Sequence, residues 1–275
     1  MTDNRKLAAV CGAASLALLA FQGAAVADGY EEYAPPPPPV EEGRKFTYSF
    51  NLAGVSDYVF RGISQTDNDP TVQGGIDLGY GIFYAGWWAS GVDFSAANST
   101  AETEMDWYGG IRPEWRGITF DLGALYYSYP GAGYTAGNTG PQINYLEVKG
   151  GLSGEIHKDW NAGFNIYWSP DYFGEVGSVW TFEGNTGVTL PKVAFVVPSI
   201  SGVLGYQTGD SSYSAFNGFN NYWYWNAGLA LAIDALTFDF RYWGTDASNA
   251  TSDALTCVNN YCDGRFVFTA KIALP

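Results

Sequence analysis

The sequence predicts an all-β chain that closes into a transmembrane antiparallel up-and-down β-barrel of about twelve strands. Three observations carry that expectation. From Phe46 onward, apolar residues recur with period two rather than 3.6. The connections between the resulting strands alternate between short turns and longer polar loops. The polar strand faces carry charges in strand after strand, which a dry soluble core would not tolerate unpaired.

Composition narrows the class further. The 275 residues include 28 acids and 13 bases, a net charge of −15, yet only 15% of residues are charged and 17% are aromatic. A strongly acidic chain repels phosphate, so no nucleic-acid partner is expected. The aromatic content excludes a disordered chain. After the first 27 residues no segment offers the ~20 apolar residues that a spanning helix needs.

Residues 1–27 read as a cleaved secretory signal peptide. Arg5 and Lys6 precede the apolar run Leu7–Phe21, and Ala25-Val26-Ala27 supplies the small residues of a cleavage site. Residues 28–44 carry five acids and five consecutive prolines, Pro35 to Pro39. Such a segment has nothing to bury and is expected to be an extended, acidic, Pro-rich periplasmic tether. Residues 45–275 form the expected barrel. After cleavage two cysteines remain, Cys257 and Cys262. A lone close pair in an exported chain most simply forms a disulfide.

The alternation is explicit. Phe46, Tyr48, Phe50 and Leu52 alternate with Thr47, Ser49 and Asn51; Leu236, Phe238, Phe240 and Tyr242 alternate with Thr237, Asp239 and Arg241. Strands are expected near 45–63, 70–80, 82–94, 103–116, 117–129, 142–157, 159–169, 178–190, 199–208, 221–234, 235–246 and 264–274. Their lengths suit the ~9–11 tilted residues that cross a bilayer. Five connections are short and six are longer (64–69, 95–102, 130–141, 170–177, 209–220 and 247–263). In lipid every backbone polar group needs a partner, so such a sheet must close on itself. The long loops then face outside and both termini face the periplasm. Trp107, Trp115, Trp160, Trp168 and Trp223 are expected near strand ends, in aromatic girdles.

One stretch is more specific than pattern. Val55–Phe94 reads VSDYVFRGISQTDNDPTVQGGIDLGYGIFYAGWWASGVDF, followed by ETEMDWYGGIRPEW at Glu102–Trp115 and DLGALYYSYP at Asp121–Pro130. These segments resemble the TorF family of porin-like proteins, a proteobacterial outer-membrane family described chiefly by sequence. The likeness covers about 46–274. It implies a porin-like barrel in the outer membrane of a Gram-negative bacterium, with no catalytic residues to carry over. The chain departs from the usual outer-membrane pattern at its end, where Leu274-Pro275 stands in place of the aromatic residue read by the assembly machinery.

Parity assigns the pore-lining charges: Asp57, Arg61, Asp77, Asp93, Glu104, Asp106, Arg112, Glu114, Asp121, Glu147, Lys149, Asp239 and Arg241. The loops add an acidic mouth of Asp67, Asp69, Glu102, Asp171, Glu175 and Asp210, and hold no lysine or arginine. Together they point to passive diffusion of small hydrophilic solutes, cationic or neutral. Twelve strands fit either an open polar channel or a barrel filled by internal ion pairs, and the resemblance favours the channel. A structural or adhesion barrel is the alternative. An outer-membrane hydrolase is the remaining one, weakened because the single histidine, His157, falls at a short turn. No enzyme activity, cofactor or metal is expected. The expected partners are outer-membrane lipid and lipopolysaccharide, the barrel-assembly machinery and small solutes.

Overall fold

The computed structural model describes residues 46–95, 99–133, 142–210, 221–247, 257 and 260–275. The expected signal peptide and proline tether lie outside the described residues. Twelve long strands form the wall: β1 (Phe46–Val55), β4 (Thr71–Tyr80), β5 (Phe83–Gly91), β6 (Thr103–Ile111), β8 (Ile118–Ser128), β9 (Tyr145–His157), β10 (Trp160–Ser169), β11 (Val179–Thr189), β12 (Val197–Gly209), β13 (Asn221–Ile233), β14 (Leu236–Thr245) and β15 (Arg265–Leu274). Three two-residue strands accompany them: β2 (Val59–Phe60), β3 (Ile63–Ser64) and β7 (Glu114–Trp115).

Each wall strand pairs antiparallel with its neighbours along the chain, and β1 pairs with β15 from Phe50↔Leu274 to Val55↔Thr269. The ring is therefore closed, with no edge left for another chain to extend. Between β6 and β8 the pairing runs from Met105↔Ser128 to Ile111↔Leu122 and resumes in the same register at Glu114↔Thr119 through β7. The gap falls at Arg112-Pro113, because proline has no N–H to donate. The expected strand 103–116 is thus one strand with a break.

Sequence alternation becomes radial alternation. Phe46, Leu52, Leu122, Leu204 and Phe266 point outward and are exposed, Phe266 at 81%. Their inward neighbours Ser49, Asp121, Gln207 and Val267 are buried. An exposed apolar belt on a closed barrel is the surface that lipid covers. Among the described residues no helix is long and apolar enough to cross a membrane; the strands do so. Trp115 and Trp160 lie at the short-turn end, and Trp168 and Trp223 near the other end. Trp107 departs from the girdle expectation: it is the fifth of the nine residues of β6 and packs against Trp87, ring centroids 6.2 Å apart.

The short turns use left-handed backbone where the strand twist demands it. Arg116 and Gly117 both have positive φ (54° and 78°), the geometry of a two-residue hairpin turn.

The main departure from expectation is at the first long connection. The strand expected over 45–63 stops at Val55. The chain then turns inward, and β2 and β3 make a small hairpin, Val59↔Ser64 and Phe60↔Ile63, within the lumen. The connection therefore runs over 56–70 rather than 64–69, and it brings a base, Arg61, into a loop set expected to hold none.

Candidate functional site in the barrel lumen

The hairpin of residues 56–66, here called the strap, organises the lumen. It leaves the wall at β1 and is anchored at its tip on the far side. Arg61 makes two hydrogen bonds to Glu147 of β9, Nη1 to Oε1 at 2.7 Å and Nη2 to Oε2 at 2.8 Å. Its guanidinium also lies 4.7 Å from the Phe60 ring centroid and 5.0 Å from that of Tyr167 on β10. Around the ring of twelve wall strands, β10 is six places from β1 in either direction. The backbone tip at Gly62 lies against Thr245 of β14 and Tyr224 of β13, and the Arg61 side chain spans from there to β9 and β10.

Further contacts fix it along its length. Asp57 accepts from Arg265 of β15 at 2.7 Å, and from Ser64 and Thr66 within the strap at 2.7 and 2.9 Å. Arg265 also donates to Asn68 and to the Asn260 carbonyl. The Tyr58 hydroxyl donates to Glu104 of β6 at 2.9 Å, and its ring meets Trp88 of β5 edge-on. At the tip Arg61 (φ 48°) and Gly62 (φ 84°) make the turn. A Cβ on Gly62 would stand 2.9 Å from both Thr245 and Tyr224, so only glycine suits this spot by conformation and by space.

The strap divides the lumen into unlike halves. Toward the long loops it is packed with aromatics. Tyr58, Phe60, Trp88, Phe94, Tyr127, Tyr129 and Tyr145 form one buried cluster, and Val59, Val203, Tyr222, Tyr224 and Trp243 belong to another. Tyr127 stacks on Tyr145 with centroids 4.3 Å apart, and its hydroxyl donates to Glu147 at 3.0 Å. Toward the short turns the inward positions include small polar residues, among them Thr47, Ser49, Asn51, Ser153, Asn161, Asn165 and Thr237, together with charged groups and the tyrosines Tyr84 and Tyr108.

The other assigned lumen charges form compact groups. Asp121 accepts from Arg112 at 3.0 Å and from the Tyr84 hydroxyl at 2.7 Å, with the Lys149 ammonium at 3.3 Å. Arg112 also covers the Tyr84 ring at 4.0 Å. Asp77 accepts from the Tyr108 hydroxyl at 2.5 Å and from Ser49 at 3.4 Å. Arg241 bridges Asp239 (3.0 Å), Asn226 (2.6 Å) and Ser201 (2.8 Å). Glu104 and Asp106 are buried side by side on β6.

Four assignments need correction of place. Asp57 and Arg61 lie on the strap rather than on a wall strand. Asp93 lies beyond the end of β5, where its N–H donates to the Gln65 carbonyl at 2.8 Å and its side chain accepts from Ser95. Glu114, inward by parity, is exposed at the short-turn rim. His157 is also exposed there.

At the other rim Asp69, Glu102, Asp171, Glu175 and Asp210 are exposed and Asp67 is partly so. Asp171 accepts from the Gly177 N–H at 3.1 Å. Arg61, which the structure brings to this end, and Arg265 at the start of β15 are both engaged with carboxylates. Cys257 and Cys262 are joined by a disulfide, which closes too short a loop to constrain the barrel much. In the loops, burial pushes the Tyr172 and Tyr261 phenols up from their usual range, so both stay protonated.

Sequence reasoning missed the strap, and with it the roles of Tyr58 and Phe60. The Arg61-Gly62 pair was the available signal, since glycine after a polar residue marks a left-handed turn.

Over residues 41–273 the chain matches the model of a family described as bacterial protein of unknown function (Gcw_chp). The chain belongs to the Gcw_chp family. No curated protein matches this Gcw_chp chain. Among solved structures it is similar to the KdgM porin, with a TM-score of 0.53 and 9% identity over 82% of this chain and 98% of that one. The KdgM porin in complex with disordered oligogalacturonate gives 0.49 at 8% identity, covering 83% and 99%. The NanC porin gives 0.48 at 10% identity, covering 82% and 99%. At 9% identity the likeness to the KdgM porin concerns the fold alone: this Gcw_chp chain has a porin-like β-barrel fold.

Proposed function

We propose that the protein is an outer-membrane channel for passive diffusion of small hydrophilic solutes, cationic or neutral. The observation that carries the reading is the closed twelve-strand wall, apolar outside and lined on its short-turn half by ordered charges and polar groups. The likeness to the KdgM porin supports it, as do the TorF-like stretches Val55–Phe94, Glu102–Trp115 and Asp121–Pro130. The long loops face outside, lipid and lipopolysaccharide surround the belt, and the barrel-assembly machinery inserts the chain. No chemistry is assigned to the barrel: His157 stands at the short-turn rim, away from the loop end.

The charge preference rests on the exposed rim acids. An acidic mouth concentrates cations and repels anions, more so at low salt. Replacing three of them together, Asp69→Asn, Glu102→Gln and Glu175→Gln, is expected to move the reversal potential in a salt gradient toward zero. An unchanged potential would assign the preference to the lumen instead.

The packed upper lumen is a feature that a structural or adhesion barrel would share. Swelling of proteoliposomes in isotonic neutral sugars separates the readings. The channel reading expects swelling that slows as the sugar grows. No swelling with the smallest sugars, from barrels that remain folded and inserted, would favour the structural reading.

A further inference from the structure

We propose that the strap of residues 56–66 is the channel's gate and that the Arg61–Glu147 pair is its latch. The inference deepens the channel reading and rests on it. It comes from a division of labour within the strap. Backbone ties hold its two ends: Ser56 N–H to the Phe268 carbonyl, Ser64 N–H to the Tyr261 carbonyl, and Asp93 N–H to the Gln65 carbonyl, each at 2.8–2.9 Å. The tip, Val59 to Ile63, is held to the wall by side chains.

That arrangement describes a hinged crossbar. The ends stay registered with the rim at β1, β15 and the Asp93 segment. The tip swings once the bidentate pair and the hydrogen bond from Tyr58 to Glu104 part. In the closed state the tip and the Arg61 side chain bridge from β13 and β14 to β9 and β10, and with them in place Arg61 and Glu147 are 2% and 1% exposed. A solute passing between Arg61 and Glu147 must therefore displace the tip. Opening leaves the Glu147 carboxylate and the faces of Tyr127 and Tyr167 facing the passage, so the open lumen meets solute with a negative, aromatic wall. Packed barrels have discrete rather than graded alternatives, so opening appears as steps in current.

The test uses the exported protein purified in detergent and two readouts. The first is single-channel current from the wild type, Arg61→Ala, Glu147→Gln, Arg61→Lys and a variant with Tyr58–Ser64 replaced by a short glycine-serine link. The second is thiol labelling of Thr181→Cys, a near-isosteric change at an inward wall position that is 1% exposed. The parent chain without that cysteine gives the blank. Weakening the latch is expected to raise the open-state occupancy and to speed labelling by about tenfold or more, as a shifted two-state population does. Arg61→Lys, which keeps the charge but loses the fork, falls between. The linked variant conducts continuously with larger steps.

The two readouts separate failure of the gate from failure of the channel. Equal conductance in the wild type and the linked variant would overturn the gate while leaving the channel. Unchanged labelling in Arg61→Ala would also overturn it. Faster labelling with no current in any variant would keep the moving strap and remove the channel reading.

Discussion

Replacing Glu147 by alanine is expected to cost about 3–5 kcal/mol of unfolding free energy, the range for removing one partner of a buried ion pair. The reason is what remains. Arg61 stays charged in a site walled by Phe60, Tyr127 and Tyr167, with its two strongest hydrogen bonds gone. Most of the loss is the desolvation of that stranded guanidinium rather than the worth of the pair. Removing both charges together, Arg61→Met with Glu147→Leu, is therefore expected to recover part of it, because an apolar replacement has no charge to solvate. Urea unfolding in detergent, followed by tryptophan fluorescence, measures all three proteins. A change under about 0.5 kcal/mol for Glu147→Ala would place it among ordinary surface substitutions and contradict the buried latch.

A second large effect is expected at Tyr224 on β13. Its side chain is fully buried, its hydroxyl donates to Glu183 at 2.7 Å, and its ring lies across Gly205 on β12, where a Cβ would collide with it. Glycine on a strand is weak because it leaves the sheet uncovered; an aromatic ring laid over it restores the cover. Tyr224→Ala removes the ring and is expected to cost about 3–5 kcal/mol, as large-to-small aromatic changes do. Tyr224→Phe keeps the ring and loses a hydrogen bond to a charged group, about 1.5–3 kcal/mol. Gly205→Ala forces the ring aside and is expected to cost about 1–3 kcal/mol. The same unfolding assay reads the order Ala, then Phe. Equal losses for Phe and Ala would mean that the ring over Gly205 contributes nothing.

Most of the wall was legible because a strand's period of two cannot be imitated by a helix. The strands expected at 70–80, 142–157, 159–169, 178–190 and 264–274 correspond to β4, β9, β10, β11 and β15 within three residues at each end. The strap was not legible for the same reason that the wall was. Tyr58 and Phe60 keep the apolar parity of Phe46 to Leu52, and Asp57 and Arg61 the polar parity of Thr47 to Asn51, so the residues that leave the wall look like the residues that build it. What bends the chain inward is tertiary: Asp57 meets Arg265, 208 residues away, and Arg61 meets Glu147, 86 residues away. No local pattern encodes such pairings.

The candidate site divides in the same way. Parity placed Asp77, Glu104, Asp106, Asp121, Glu147, Lys149, Asp239 and Arg241 on the inward face, where the structure has them, since orientation is a property of each strand alone. It did not say which of them meet. The group around Asp121 joins β8 to Lys149 on β9 and to Tyr84 on β5, and only the pairing and register of β5, β6, β8 and β9 bring those side chains together. Nor did it show that the loop half of the lumen is filled, because the fillers Tyr58 and Phe60 were read as wall.

The central claim is a solute channel through this barrel, and current across a planar bilayer tests it most directly. The wild-type protein, inserted under a salt gradient, is expected to give discrete steps with a cation-selective reversal potential, brief openings in the wild type and longer, larger ones once the strap is replaced by the link. A folded, inserted barrel that carries no current even with the strap removed would contradict the account.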